Sequence, residues 1–143
     1  MRYWDASALV PLVVSQPESE LARGWLAADE SIVTWVWTRT EIVSAIERLA
    51  REGLIDRRER RSSLEEFDRL AVDWDEVGDI LAVRSRALRL LARHPLRAAD
   101  AGQLAAAILI QEQIPGPLSF MCFDRRLALA AEREGLRIPA GIG

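Results

Sequence analysis

The sequence predicts an α/β domain: three layers, with a mostly parallel central sheet of about four to five short strands flanked by helices. Three observations predict it. Short apolar runs alternate with stretches of period 3.6, the signature of strands separated by helices. The connections are short and punctuated by Pro and Gly, with no internal repeat. The 143 residues are half apolar, with only eight Gly and six Pro, which suits one compact core, so residues 1–143 are read as a single domain.

Arg2 to Asp5 reads as a short apolar strand running into a helix from Ser7 to Val14, for which Ser7 is a fitting N-cap. Pro17 opens a helix of about Glu18 to Ala28, with Leu21, Trp25 and Ala28 along one face. Ile32 to Trp35 reads as a second buried strand. From Thr38, residues Ile42, Val43, Ala45, Ile46 and Leu49 form the stripe of a helix that Gly53 stops. Asp56 caps a polar helix to about Leu70, and the next helix is read from Asp75 to Arg93, ending at His94-Pro95. Arg97 to Gln113 is an alanine-rich helix and Pro115-Gly116-Pro117 a turn. Leu118 to Phe123 is an apolar run too short for a helix and reads as a buried strand. Asp124 starts the last helix, Gly135 ends it, and Arg137 to Pro139 reads as an edge strand.

The composition excludes several chemistries. Twenty-two acids against nineteen basic residues give a net charge of −3, so any nucleic-acid contact is local rather than spread over a basic surface. All nineteen basic residues are Arg, which removes Walker-A nucleotide binding and lysine Schiff-base chemistry. One Cys (Cys122) and one His (His94) leave no zinc cluster and no intrachain disulfide. A metal would therefore be held by oxygens. The apolar run Ala6 to Val14 follows Asp5 and contains Pro11, so it reads as a buried strand-to-helix segment rather than a signal peptide. No run approaches the roughly 18 residues of a membrane span, and a cytoplasmic protein is expected.

In a parallel sheet, ligands bind beyond the carboxyl ends of the strands. Asp5 follows Tyr3-Trp4 and Asp124 follows Phe120 to Phe123, so both carboxylates stand at that rim. Each also suits a helix N-cap, worth about 1 kcal/mol. Asp100 shares its helical face with Leu104, Ala107 and Ile108, the face a helix buries. Glu41 sits at the edge of its helix's apolar stripe, where a first-turn acid also complements the dipole. Together, four carboxylates on one crevice would repel and raise one another's pKa unless a divalent cation neutralises them. Oxygen-only ligation favours Mg²⁺ or Mn²⁺. Phosphodiester hydrolysis is the chemistry that most needs such a site.

Trp4-Asp5-Ala6-Ser7-Ala8-Leu9-Val10, Thr40-Glu41-Ile42 with Ala45-Ile46, Leu96-Arg97-Ala98-Ala99-Asp100-Ala101 with Leu104, and Phe123-Asp124-Arg125-Arg126-Leu127 with Gly135-Leu136 occur in this order over almost the whole chain. Together they resemble PIN-domain ribonucleases, and are most similar to VapC-type toxins of bacterial toxin–antitoxin pairs. The resemblance implies a Mg²⁺- or Mn²⁺-dependent endoribonuclease acting on RNA, a homodimer, and a cognate antitoxin protein that restrains it. Asp5, Glu41, Asp100 and Asp124 carry over as the catalytic and metal-binding quartet, and Ser7 as a residue supporting it. Relatives often carry His where this chain has Gln103, which bears on substrate positioning. Two other readings stay open: a PIN-like module that binds RNA or protein without cutting, and an RNA-processing nuclease outside any toxin–antitoxin pair.

Arg86, Arg89, Arg93 and Arg97 follow steps of three, four and four, either a phosphate track toward Asp100 or a solvated helix face. Arg57, Arg58, Arg60 and Arg61 read as solvated surface. Trp4, Trp25 and Trp35 fit the core. Trp37 and Trp74 can stack on a base or line a groove for a partner helix. The helices Glu18 to Ala28 and Thr38 to Arg51 carry apolar faces that can pair two copies. His94 reads as a helix-end residue and Cys122 as a buried small hydrophobe.

Overall fold

The computed structural model describes residues 1–141; the last two residues of the expected domain lie outside the described range. The chain runs β1 (Arg2–Trp4), α1 (Ala6–Val13), α2 (Ser19–Ala28), β2 (Val33–Trp35), α3 (Thr38–Arg51), α4 (Arg57–Ala71), β3 (Asp75–Val77), α5 (Ile80–Arg93), α6 (Ala98–Gln111), β4 (Ser119–Met121) and α7 (Arg125–Arg133). Among the described residues the sheet has four strands in the order β3-β2-β1-β4. Every pairing is parallel, with Tyr3 beside Val33 and Phe120, and Thr34 beside Glu76.

Successive strand residues point to opposite faces, and both faces are apolar. Tyr3, Val33 and Phe120 enter a core closed by α5, α6 and α7, where Leu90, Leu104 and Leu127 meet them. Trp4 and Met121 point the other way, into a core of Leu9, Trp25, Ile42, Ile46 and Phe67 from α1 to α4. This two-sided burial is why the strands read as continuous apolar runs instead of alternating ones.

Helix ends follow local chemistry. Asp56 and Glu59 form a reciprocal capping box at the start of α4. Gly53 and Gly135 leave α3 and α7 with φ of +73° and +92°, a conformation that costs glycine least.

Several expectations are corrected. The helix read from Asp75 is a strand, Asp75–Val77, followed by Asp79 capping α5 through the Ala82 N–H. The acid-rich Asp75-Glu76-Val77 hides its strand character because it lies at the sheet edge, where only Val77 packs on the core. Arg137 to Pro139 contributes one parallel bridge, Arg137 with Ser119. Trp74 is buried against Phe67 and donates its indole N–H to Glu76, so it has no free face for a base. The apolar stripe of α3 is used internally through Ile42 and Ile46. The exposed apolar surface lies on α5 instead, at Ile80, Leu81, Leu88 and Leu91. No helix among the described residues is long and apolar enough to cross a membrane.

Candidate functional site

The strand order reverses at β1, with β2 and β3 on one side and β4 on the other, so a crevice opens beyond the carboxyl ends of β1 and β4. The residues leaving those two strands stand at its floor. Asp5 follows β1, donates its backbone N–H to the Met121 carbonyl at the end of β4, and is 4 % exposed. Its carboxylate accepts from the Ser7 N–H, so Asp5, not Ser7, caps α1. The hydroxyl of a Ser at that position is then free for another task. It accepts from the Phe123 N–H and reaches the Cys122 sulfur at 3.6 Å, stitching α1 to the segment that carries Asp124. Asp124 caps α7 through the Leu127 N–H.

Glu41 and Asp100 join from the sides, each in the first turn of its helix, α3 and α6. All four carboxylates therefore sit at helix N-termini. Exposed N–H groups and the dipole offset part of their mutual repulsion there. Capping and site-forming are not alternatives in this fold, because the same four helix starts supply both.

The electrostatics record how closely these groups stand. Burial pushes the Asp5 carboxyl up to about 6, with Asp100 and Asp124 adding to the rise while Ser7 opposes it. Burial, then Asp5 and Asp100, push Glu41 up to about 7 against the amide of Gln103. Burial and then Asp124 raise Asp100, against Arg97 and Arg126. Burial also pushes up the Cys122 thiol, which leaves it an inert sulfur in the wall. Among the described residues no three Asp, Glu, His or Cys side chains are gathered tightly enough to hold an ion by themselves. The quartet is a spread set of oxygen donors around a cleft, not a closed cage.

The rim of that cleft adds residues the sequence did not single out. Thr40, Ser44 and Arg48 line it beside Glu41, Asp100 and Asp124, together with Arg97 and the exposed Trp37. Arg48 is the missed cation: it lies two turns beyond Glu41 on α3, a spacing of seven that places both on one face. Of the four arginines in the predicted track, Arg97 alone lines this cleft. Arg86 is paired with Glu112, and Arg93 with Glu134 at 3.2 Å. Arg89 is exposed on α5. His94 ends α5 and pairs through Nε2 with Glu134 at 2.7 Å.

Beneath the cleft, Gln103 is fully buried and donates from Nε2 to Glu41 at 2.7 Å, a contact its sequence position did not reveal. Trp35 packs across Gly102, and a Cβ there would lie 2.9 Å from Cζ2 of the indole. Its buried indole N–H has no partner in bonding geometry among the described residues, yet it helps hold the Glu41 carboxyl down. Gly102→Ala must push this ring aside. It is expected to cost about 1–3 kcal/mol, read by denaturant unfolding; unchanged stability would show that the ring can yield freely.

The PIN domain family model matches residues 2–133, from the first strand to the end of α7. The chain belongs to the PIN-domain family. It is similar to Ribonuclease VapC47 of Mycobacterium tuberculosis (strain CDC 1551 / Oshkosh), 30% identical over 139 residues, which cover 94% of this chain and 93% of that protein. Ribonuclease VapC45 of the same strain and Ribonuclease VapC49 of Mycobacterium tuberculosis (strain ATCC 25618 / H37Rv) are each 29% identical over 137 residues, 95% of this chain and 92% of theirs. The parallel sheet with helices on both faces is the architecture expected of a PIN domain.

Proposed function

We propose that this PIN domain is a Mg²⁺- or Mn²⁺-dependent endoribonuclease, the toxin of a toxin–antitoxin pair, working through Asp5, Glu41, Asp100 and Asp124. One observation carries the reading: four carboxylates from four separate elements meet beyond β1 and β4, close enough to raise one another's pKa. The ribonuclease names of its relatives supply the reaction class. The donor chemistry fits a hard cation. Mg²⁺ keeps several waters and takes one or two carboxylates plus substrate phosphates, which an open set of oxygens accommodates better than a cage would. Asp5, Asp100 and Asp124 would hold the ion with Glu41 beside it. When bound, the ion supplies charge to screen the scissile phosphate and acidity to a water.

The protein's own groups supply the rest. Glu41, with a carboxyl at about 7, is suited to exchange a proton with an attacking water at neutral pH. Ser7 keeps the Asp5 and Asp124 segments in register. Arg97 and Arg48 at the rim can each take a flanking phosphate; Arg89 extends the track, and Arg86 and Arg93 join it only on leaving Glu112 and Glu134. Trp37, 53% exposed beside them, offers a face to an unpaired base. A protein partner, the antitoxin or a second copy in a homodimer, is placed on the apolar groove where Trp37 meets Ile80, Leu88 and Leu91 of α5. The reaction is assigned to the cytoplasm, where RNA and antitoxin would both be met.

Trp37→Ala is expected to weaken binding of short single-stranded RNA by about 1–3 kcal/mol, with duplex RNA little affected. Fluorescence anisotropy with the uncleaving Asp100→Asn protein reads this directly, and an unchanged affinity removes Trp37 from the substrate path. The function itself is tested by incubating purified protein with a panel of single-stranded and structured RNAs and Mg²⁺ or Mn²⁺, beside EDTA and Asp100→Asn controls. Cutting lost in both controls supports the nuclease. Binding of RNA without cutting by a folded, metal-loaded, antitoxin-free protein points to the non-cleaving module instead. A gene neighbour encoding no small antitoxin-like protein favours a processing nuclease.

A further inference from the structure

Gln103 lies in a buried chain of hydrogen bonds that runs one way. The Thr34 hydroxyl donates to the main-chain carbonyl of Trp4 at 2.8 Å, so its oxygen is left to accept from Thr38 at 2.6 Å. Thr38, having spent its proton, accepts from the Gln103 Nε2 at 3.1 Å. The second Nε2 hydrogen goes to the Glu41 Oε2 at 2.7 Å. At the other end of the amide, the Tyr3 hydroxyl donates to Oε1 at 2.7 Å. Tyr3, Thr34, Thr38 and Gln103 are all fully buried, so no water can replace a lost partner and each misplaced proton would leave an unsatisfied group, costing about 1–3 kcal/mol.

The amide's orientation is therefore set twice over. Turned about, its oxygen would face the Glu41 carboxylate, acceptor against acceptor, and its NH₂ would meet a tyrosine whose burial keeps the hydroxyl proton in place. Glu41 itself is on α3, whereas Gln103 is on α6 and Tyr3 on β1. The chain thus ties the one long, flexible carboxylate of the quartet to the sheet and to the helix that bears Asp100. Asp5 and Asp124 need no such tether, because each is held as a helix cap.

We propose that Gln103 is a positioning residue for Glu41, with Tyr3 fixing the direction of its amide, so that the Glu41 carboxylate is presented to the cleft in one orientation without Gln103 meeting substrate or metal. The inference rests on the metal-nuclease reading above. It assigns a task to the position where relatives often carry His: a donor toward Glu41 that also accepts from a buried hydroxyl.

The test measures Mn²⁺ binding to metal-free protein by calorimetry, together with the Mn²⁺ concentration giving half-maximal RNA cleavage. Gln103→Met keeps the length of the side chain and removes both hydrogen bonds. It is expected to weaken Mn²⁺ binding about 10–100-fold, the usual cost of losing a group that orients a ligand. Phe67→Leu, far from the cleft against Trp74, serves as a variant that lowers stability alone and should leave Mn²⁺ affinity at the wild-type value. In a Glu41→Gln background, Gln103→Met should add less than about a twofold change, because the group it orients is gone. Tyr3→Phe, which removes one hydroxyl and keeps the fold if Gln103→Met does not, should weaken Mn²⁺ binding in the same direction by a smaller factor. Wild-type affinity in both Gln103→Met and Tyr3→Phe, or an equal loss with and without Glu41, overturns the positioning role while leaving the nuclease intact. A wild-type protein that neither binds Mn²⁺ nor cuts RNA overturns the nuclease reading and this inference with it.

Discussion

Asp100→Asn is expected to lower the cleavage rate roughly 10²–10⁴-fold, the range for removing one charge-stabilising or proton-transferring group, while the protein melts at or above the wild-type temperature. Both halves come from the same physics. Burial and the neighbouring Asp124 raise the Asp100 pKa, so its ionised form works against folding at neutral pH. Asparagine keeps the shape and a side-chain oxygen but drops the charge. Two terms oppose the gain: the dipole at the start of α6, which favours an acid by about 0.3–1 kcal/mol, and the attraction of Arg97 and Arg126. The balance is near zero or slightly favourable. Cleavage at fixed Mn²⁺ and thermal melts of the same preparations decide it. A large loss of melting temperature would make Asp100 a structural acid and its effect on cleavage indirect.

Why that acid was legible from sequence, and Gln103 was not, follows from what each costs. A carboxylate on the buried face of an alanine-rich helix is expensive, so its presence asks for a reason. The same reasoning reached Asp5 and Asp124, because strands followed by an acid at the rim of a parallel sheet have few other uses. A glutamine is not expensive until its partners are known. Those partners, Tyr3 and Glu41, lie 100 and 62 residues away, and no periodicity connects them. The strand β3 was misread for a related reason. Asp75-Glu76-Val77 is polar because it closes the edge of the sheet, where Glu76 is occupied by Arg39 and Trp74. The arginine steps on α5 were visible, but sequence alone does not show that Glu112 and Glu134 come from other helices to claim two of them. Four of the helices kept their expected stripes since each buries one face in the nearest core, and helical spacing reads that directly.

Metal-free protein is expected to lose stability as the pH rises from about 4 to 8, and Mn²⁺ should restore it. Asp5 is almost fully buried and its carboxyl is pushed from the ordinary 3.8 up to about 6. An acid whose pKa is higher folded than unfolded gives stability that is fully present below the unfolded value and is lost as pH passes the folded one. At 1.36 kcal/mol per unit, Asp5 alone accounts for about 3 kcal/mol. At roughly 2–4 °C per kcal/mol for a chain of this size, that is about 6–12 °C of melting temperature. Glu41, raised to about 7, extends the window upward without changing its sign. The surface acids Asp29, Glu47 and Glu112, whose pKa values are lowered by hydrogen bonds, lie outside this window because they give way only in stronger acid. Melting curves at pH 5 and pH 8 in EDTA, repeated with Asp5→Asn, read the effect. The Asn variant should keep its N-cap to the Ser7 N–H and lose much of the slope. An unchanged slope in that variant would place the pH dependence elsewhere in the quartet. Adding Mn²⁺ at pH 8 should recover about 2.7 kcal/mol at a hundredfold excess over its dissociation constant, and nearly nothing at pH 5, where the two most perturbed carboxyls are largely protonated. Such reciprocity would separate a cation site from mere charge crowding. Repulsion among four acids destabilises any fold, but only acids arranged to share an ion yield stability back in proportion to the protons they have already lost.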